Sequence, residues 1–218
     1  MGYNVAIDGP AGAGKSTTAK LVAKEKGYIY VDTGAMYRGM AIHFLDKGIR
    51  AEETDKIVNA LKDAEVTIRY EEGLQQVYLN GRNITDRLRE EAVGKMASLT
   101  SAIPQVRQKL LELQKGLART QDVIMDGRDI GTCVLPDADV KIYLTASVET
   151  RAKRRYDELT EKGIACDLNE IARDIKERDE RDSTREIAPL KQAEDAVLVD
   201  SSHMTIEEVV AAIVKLCR

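Results

Sequence analysis

The chain has 218 residues, a net charge of −4 and 43% hydrophobic residues, which is typical of a globular protein of one or two domains. The acidic balance, the single Phe and the absence of Trp argue against a nucleic-acid polymer as partner. No apolar run approaches the length of a membrane span and the N-terminus lacks a signal-peptide pattern, so no membrane association is expected. The three cysteines form no CxxC pair, which predicts reduced thiols in a cytoplasmic protein.

Strand and helix patterns alternate along the chain. Five short apolar runs predict buried strands. They are residues 4–8, 28–32, 123–126, 140–144 and 196–200. Helical patterns accompany them, the first over 15–26 and the last from Glu207, after a capping box at Thr205 and Glu208. This alternation predicts an α/β fold with a mainly five-stranded parallel sheet that is flanked by helices.

Two segments depart from this alternation. Residues 66–70 and 75–79 alternate between apolar and polar, and Glu71-Glu72-Gly73 separates them, which predicts an antiparallel hairpin with one wet face. Residues 173–186 read RDIKERDERDSTRE, a nearly charge-balanced segment that predicts a helix. On residue pattern alone, this helix could equally be a solvated surface face.

A phosphate-binding loop follows the first predicted strand. Residues 9–16 read GPAGAGKS and match G-x-x-x-x-G-K-[ST], in which backbone N–H groups surround phosphate oxygens. The Lys15 ammonium would reach the β- and γ-phosphates, and the Ser16 hydroxyl would ligate Mg²⁺. The predicted ATP-binding residues are Gly9, Pro10, Ala11, Gly12, Ala13, Gly14, Lys15, Ser16 and Thr17. Arg154 is added to them, although it and its neighbours Arg151 and Arg155 could equally decorate a helix surface.

A magnesium site in such a loop needs a carboxylate in addition to the hydroxyl. Asp126 ends the apolar run Val123–Met125, where the second metal-binding group of P-loop proteins belongs. Asp32 ends another predicted strand and is the rival candidate. Either aspartate could instead cap a helix or a turn.

Two classes of P-loop protein are disfavoured. Small GTPases read guanine with an N-K-x-D segment, which this sequence lacks. AAA-type motors need a longer chain and an Asp-Glu pair, whereas Asp126 is followed by Gly127. A P-loop kinase remains.

Three later blocks are specific to one family. Residues 31–39 (VDTGAMYRG), 126–139 (DGRDIGTCVLPDAD) and 176–190 (KERDERDSTREIAPL) resemble the bacterial cytidylate kinases, and the resemblance covers essentially the whole chain, hairpin included. It implies transfer of the γ-phosphoryl group of MgATP to CMP, and to dCMP, by a cytoplasmic monomer of pyrimidine nucleotide metabolism. It also implies a P-loop core (1–36, 87–152 and 186–218), an acceptor-binding segment (37–86) and a helical lid (153–185).

The same resemblance gives roles to individual residues. It implies that Arg38 and Arg128 hold the acceptor phosphate, and that Ser98, Arg107 and Asp129 read cytosine. The full acceptor-binding set is Thr33, Tyr37, Arg38, Ser98, Arg107, Arg128, Asp129, Arg178, Asp182 and Arg185, and the catalytic set is Lys15, Arg128, Arg178 and Arg185. The last three acceptor-binding residues are spaced to share one face of the charged helix.

Two other functions stay open at this point. The first is a kinase with another acceptor, such as UMP, mainly dCMP, or a non-nucleotide alcohol. The second is a non-catalytic P-loop module that uses the nucleotide as a switch, although the surplus of arginines counts against it. Arg107 could also be an ordinary surface arginine.

Overall fold

The computed structural model of the protein describes residues 2–218, which form two compact units. One unit comprises Val31–Gln121, and the other comprises Gly2–Tyr30 together with Asp122–Arg218. The strands are β1 (Asn4–Asp8), β2 (Ile29–Asp32), β3 (Val66–Glu71), β4 (Leu74–Leu79), β5 (Arg82–Asn83), β6 (Val123–Gly127), β7 (Val140–Thr145) and β8 (Val197–Asp200). The helices are α1 (Lys15–Lys26), α2 (Thr33–Asp46), α3 (Thr54–Ala60), α4 (Glu91–Thr100), α5 (Pro104–Thr120), α6 (Val148–Glu161), α7 (Leu168–Thr184) and α8 (Ile206–Val214).

A five-stranded sheet confirms the predicted fold class. Its order is β2-β6-β1-β7-β8, and β1 pairs in parallel with β6 on one side and with β7 on the other. Val5 and Ile7 of β1 are fully buried because the strand lies at the centre of the sheet, between flanking helices. Each predicted strand is present to within one residue of its predicted bounds, and the capping box at Thr205 and Glu208 opens α8 as expected.

The carboxyl ends of neighbouring parallel strands meet at one edge of the sheet. Asp8 is the last residue of β1, and it pairs in register with Gly127 of β6, directly after Asp126. The loop that follows β1 leads into α1, so this edge carries both the glycine-rich loop and the residues after β6. Ligands of open α/β sheets bind at such edges.

The Val31–Gln121 unit contains the predicted hairpin. Strands β3 and β4 pair antiparallel, with Val66 opposite Leu79 and Ile68 opposite Val77. Glu72 and Gly73 at the turn have φ of 51° and 77°, the left-handed values that a two-residue hairpin turn requires. The short β5 extends the hairpin to three strands. The sequence analysis did not predict β5, since two residues carry no periodicity.

The charged helix ends earlier than predicted. The Asp167 carboxylate caps the N-terminus of α7, whose last helical residue is Thr184. Arg185 is therefore beyond the helix, with extended φ and ψ of −61° and 141°, and the prediction that it shares a helix face with Arg178 and Asp182 is wrong. Its guanidinium Nε donates to the Ala188 carbonyl at 2.6 Å, which fixes the turn that ends the helix.

The predicted core, acceptor-binding segment and lid are divisions by function and stay predictions. Within residues 2–218, no helix is both long and apolar enough to cross a lipid bilayer.

Gly9 provides a stability test of the junction between β1 and the loop. A Cβ at Gly9 would lie 1.9 Å from the Leu144 carbonyl oxygen of β7, so Gly9→Ala requires the two strands to separate. We expect it to lower the free energy of unfolding by about 3 kcal/mol or more, measured by chemical denaturation.

Gly27→Ala is the matched control. Gly27 also has a positive φ, 72°, but a Cβ there meets nothing within 4 Å. Its expected cost is the backbone strain alone, about 1 kcal/mol. Equal losses in the two variants would contradict the close approach at Gly9.

Candidate active site

The glycine-rich loop has the backbone that phosphate binding requires. Gly12 and Gly14 have φ of 77° and 91°, which L side chains rarely adopt, so the chain can curl before α1 begins. Gly14 is the N-cap residue of α1 and has no side chain with which to cap the helix. The positive end of the α1 dipole and the backbone N–H groups therefore lie where the predicted phosphates would bind.

Lys15 is buried and surrounded by further positive charge. The residue is 6% exposed, and its Nζ donates to the Pro10 carbonyl at 2.7 Å. Burial lowers the pKa of Lys15 well below its usual value, and the positive charges of Arg128 and Arg178 lower that pKa further. Two predicted catalytic arginines are thus close enough to Lys15 to repel it, which suits a polyanionic ligand.

The predicted magnesium ligands are in contact. The Ser16 hydroxyl donates to Asp126 Oδ2 at 2.9 Å, and the Tyr30 hydroxyl donates to Asp126 Oδ1 at 2.8 Å. A hydroxyl and a carboxylate are hard oxygen donors of the kind Mg²⁺ prefers, so these residues fit that ion. The rival Asp32 instead caps α2, where its Oδ1 accepts from the Ala35 N–H at 2.9 Å.

Asp8 fixes the turn that follows β6. Its two carboxylate oxygens accept from the Ile130 and Gly131 N–H groups at 2.8 and 2.7 Å, and these N–H groups open a π-helical turn, Ile130–Val134. Burial raises the pKa of Asp8 to about 6, and the Asp129 charge raises it while the two N–H donors lower it. Asp8 thereby positions the backbone directly after the predicted acceptor-binding pair.

That pair, Arg128 and Asp129, forms one ion pair with Asp182 of α7 and one with Arg185, just beyond the end of that helix. Arg128 Nε donates to Asp182 Oδ2 at 3.0 Å, and Arg185 Nη2 lies 3.4 Å from Asp129 Oδ1. Asp129 and Asp182 are each 5% exposed, so both carboxylates are held away from solvent beside an arginine. Four of the predicted acceptor-binding residues are therefore brought together.

Arg151 is a buried structural residue. Its guanidinium donates to the Ala11 and Ala146 carbonyls at 3.0 and 2.9 Å and to Asp179 of α7 at 2.6 Å. It therefore connects the glycine-rich loop to α7.

Arg154 contacts the segment after β8. It donates to the Ser201 carbonyl at 2.8 Å, and the Ser201 hydroxyl reaches the Ala13 carbonyl of the glycine-rich loop at 3.3 Å. Arg155 pairs with Glu158 on the surface of the helix. Of the three arginines, it is therefore the one that fits a surface role.

Arg178 lies on α7, and the Val31–Gln121 unit holds the five remaining predicted acceptor-binding residues. Thr33 is buried at the start of α2, and Tyr37 and Arg38 follow on the same helix. The Arg107 guanidinium, on α5, lies 5.6 Å from the centroid of the Tyr37 ring. Such a distance fits a cation–π contact. Arg107 is thus not the solvated surface arginine that the sequence left possible.

Two serines extend this group. Arg107 Nη1 donates to the Ser101 carbonyl at 3.2 Å, and the Ser101 hydroxyl donates to the Ser98 carbonyl at 3.0 Å. The Ser98 Oγ is buried and has no hydrogen-bond partner in the described part of the chain, residues 2–218. A buried polar atom in that state is costly unless a ligand satisfies it. This fits Ser98 as a ligand-binding residue.

Sequence reasoning missed several contributors to these arrangements. It placed Tyr30 only within a predicted buried strand, and it gave Asp8 and Ser101 no role. Asp8 had a usable signal, since it ends a parallel strand at the edge where ligands bind. Ser101 and Ala11 accept these hydrogen bonds with their backbone carbonyls. Every residue type has that group, so the sequence does not show which carbonyls are used.

The raised pKa of Asp8 predicts a pH-dependent stability. Its native value of about 6, against 3.8, means that the folded state binds a proton that the unfolded state releases between these pH values. The stabilisation from protonated Asp8 is therefore fully present below about pH 4 and lost as the pH rises through about 6, a change of roughly 3 kcal/mol.

Asp8→Asn isolates this contribution, because the amide does not titrate. The natural chain's unfolding free energy minus that of the variant should fall between pH 4 and 7 and then level off, as measured by urea titrations at each pH. A difference that is constant or rises over this range would contradict the assignment.

Solved structures share the fold. A shikimate kinase from Acinetobacter baumannii has a TM-score of 0.50 at 13% identity, covering 99% of this chain and 93% of that one. An uncharacterized protein from Eubacterium ventriosum has a TM-score of 0.54 at 11% identity, covering 98% and 96%. At such low identity, these likenesses concern the fold alone.

Relatives found by sequence have a much higher identity to this chain than these structures do. The cytidylate kinase of Caldicellulosiruptor saccharolyticus is 51% identical over 98% of this chain and 94% of its own length, and that of Lactobacillus johnsonii is 49% identical over 97% and 92%. The sequence model of the family described as cytidylate kinase matches residues 5–218. With the P-loop, the Arg128–Asp129 pair and the charged helix in place, the chain belongs to the cytidylate kinase family.

Proposed function

We propose that this cytidylate kinase transfers the γ-phosphoryl group of MgATP to the phosphate of CMP, and of dCMP, through the residues described above. The observation that carries the proposal is the buried Lys15 of the glycine-rich loop with Arg128 and Arg178 close to it: burial lowers the pKa of the lysine most, and the two positive charges lower it further. ATP and CMP together bring a cluster of phosphate charges that offsets this repulsion. A nucleotide switch needs no such surplus of positive charge.

The transfer is an in-line exchange of one P–O bond for another. A phosphate oxygen of CMP forms a bond to the γ-phosphorus of ATP. At the same time the bond between the γ-phosphorus and the β,γ-bridging oxygen breaks, which gives CDP and ADP. The second pKa of a phosphomonoester is about 6, so the attacking oxygen is already ionised at pH 7. The reaction therefore needs no general base. Lys15 and the guanidinium groups of Arg128, Arg178 and Arg185 align the phosphates and neutralise their charge.

Ser16 and Asp126 would hold the magnesium ion of MgATP. The ion supplies charge neutralisation at the phosphate oxygens. The Tyr30 hydroxyl on Asp126 Oδ1 orients the carboxylate and so presents Oδ2 toward Ser16.

Ser98, Arg107 and Asp129 are proposed to read the base. Cytosine offers the N4 amino donor and acceptors at N3 and O2. A carboxylate such as Asp129 accepts from the amino group, whereas Arg107 and the Ser98 hydroxyl can donate to the acceptors. Uracil reverses the donor and acceptor pattern at two positions, which leaves buried groups mismatched at a cost of roughly 3–5 kcal/mol.

The compartment and oligomeric state are part of the same proposal. The three cysteines are free thiols, which supports the cytoplasm, and the family resemblance implies a monomer.

An acceptor panel tests the base-reading residues. We expect CMP and dCMP to be phosphorylated far faster than UMP, AMP or GMP, and Asp129→Asn to lower the preference for CMP over UMP by roughly 10–100-fold, because the amide can also donate to uracil O4. The measurement is ADP release in a coupled assay, compared as kcat/KM for each acceptor.

Asp137→Asn is the control, because Asp137 is exposed on the loop before β7. It should leave the preference unchanged. Equal rates for all monophosphates would overturn the base-reading assignment, and a rate that no acceptor increases would overturn the kinase assignment and favour the switch.

Ser16→Ala tests the magnesium site. Removal of the hydroxyl should raise the Mg²⁺ concentration needed for half-maximal activity by roughly tenfold, because one of two protein ligands is lost. The measurement is a Mg²⁺ titration at fixed ATP and CMP. Thr160→Ala, which removes an exposed hydroxyl on α6, should give the curve of the natural chain. A Ser16→Ala curve that matches this control would contradict the site.

A further inference from the structure

Gln75 of the inserted hairpin is joined to the start of α2 by a pair of hydrogen bonds. Its side-chain Oε1 accepts from the Asp32 N–H at 2.9 Å, and its Nε2 donates to the Asp32 carbonyl at 3.1 Å. The amide thus satisfies both backbone groups of one residue, as a neighbouring strand would. The same side chain could not do this if either the oxygen or the nitrogen were missing.

Asp32 is the residue on which α2 depends for its beginning. Its carboxylate Oδ1 accepts from the Ala35 N–H and so caps the helix. A Cβ at Gly34 would lie 3.2 Å from both Asp32 Oδ1 and Arg38 Nη1, so the cap and the Arg38 guanidinium lie beside the same glycine. A shift of Asp32 would therefore move the first turn of α2 and Arg38 with it.

The hairpin touches α2 a second time, near the middle of the helix. A Cβ at Gly39 would meet the methyl groups of Val66 and Val77 at 3.4 Å, so the helix backbone lies directly against β3 and β4. Val77 is two residues from Gln75 and is on the same face of β4. The two contacts lie on either side of Tyr37 and Arg38.

The face of the hairpin that carries Gln75 is partly shielded from water. Tyr70, its cross-strand partner, has a pKa that burial raises to about 12. Hydrogen bonds shielded from water contribute more to positioning than exposed ones.

We propose that Gln75 is a positioning residue for the acceptor nucleotide: it holds the N-terminus of α2 so that Thr33, Tyr37 and Arg38 are presented in a binding-competent arrangement. The inference rests on the proposed function of those three residues. Without the clamp, only a fraction of the molecules have α2 correctly started, and the apparent KM for CMP rises by the inverse of that fraction. Saturating CMP selects the competent arrangement, so kcat is preserved.

The sequence supplies a matched control at the next position. Gln76 has the same side chain on the opposite face of β4, where its Oε1 accepts only from the exposed Asn83 amide, at 3.3 Å, among the hydrogen bonds found in residues 2–218. Gln75→Leu removes both clamp bonds, and Gln76→Leu makes the same chemical change away from α2.

Steady-state kinetics test the proposal. Gln75→Leu should raise the KM for CMP roughly tenfold and leave kcat and the KM for ATP within about twofold, whereas Gln76→Leu should match the natural chain. The proposal is overturned if the two variants behave alike, or if Gln75→Leu changes kcat and both KM values together, as general damage to the fold would.

Amide hydrogen exchange at Asp32 gives a second readout that needs neither CMP nor turnover. The Asp32 N–H should exchange roughly tenfold faster in Gln75→Leu than in Gln76→Leu, and equal rates would overturn the clamp. If Gln75→Leu does not fold, Gln75→Glu serves instead, since it keeps the acceptor for the Asp32 N–H but places an oxygen against the Asp32 carbonyl. That variant should also raise the KM for CMP, and an unchanged value would overturn the proposal.

If the natural chain does not phosphorylate CMP at all, the proposed function fails, and the Asp32 exchange rates still decide whether Gln75 holds α2. If CMP is phosphorylated normally and the two leucine variants are alike, only the inference about Gln75 fails.

Discussion

Positive charge concentrated around a buried lysine is the constraint on which the candidate active site depends. Lys15 is nearly inaccessible to water, which lowers its pKa, and the positive charges of Arg128 and Arg178 lower that pKa further. Such an arrangement is unfavourable by itself, because each cation loses hydration and repels the others. Its stability requires carboxylates and carbonyls nearby, and the Pro10 carbonyl and the Asp182 carboxylate are examples. A bound polyphosphate adds charge of the required sign.

Parallel strand pairing places two further carboxylates near Lys15, those of Asp8 and Asp126, whose negative charges raise its pKa. Asp8 is the last residue of β1 and Asp126 the second to last of the neighbouring β6, and they have different surroundings although they lie at the same sheet edge. Asp8 accepts from two backbone N–H groups and supports the turn after β6, whereas Asp126 accepts from two hydroxyls. The first therefore acts on the protein backbone, and the second is suited to an ion that arrives with the nucleotide.

Much of the fold could be predicted, because its elements have strong local signals. The strands are continuous apolar runs, the hairpin alternates, and the glycine-rich loop has a specific spacing. The error at Arg185 had a local cause: charge composition does not reveal where a helix ends, and none of the four residues after Thr184 is a glycine or proline. The roles of Gln75 and Ser101 were out of reach for a different reason, since their contacts depend on tertiary structure and are made with backbone atoms.

Backbone carbonyls hold two of the arginines proposed to bind the acceptor, and this has a consequence for binding. Arg107 donates to the Ser101 carbonyl and Arg128 to the Gly127 carbonyl. A guanidinium has five N–H donors in a fixed plane, so a contact with one carbonyl orients the plane without exhausting its capacity. Side-chain entropy is then lost during folding and not at the moment of binding, which lowers the cost of ordering the site around its ligand. The clamp proposed for Gln75 extends the same principle from side chains to a helix, because an amide that holds the backbone of Asp32 orders the first turn of α2 before the acceptor arrives.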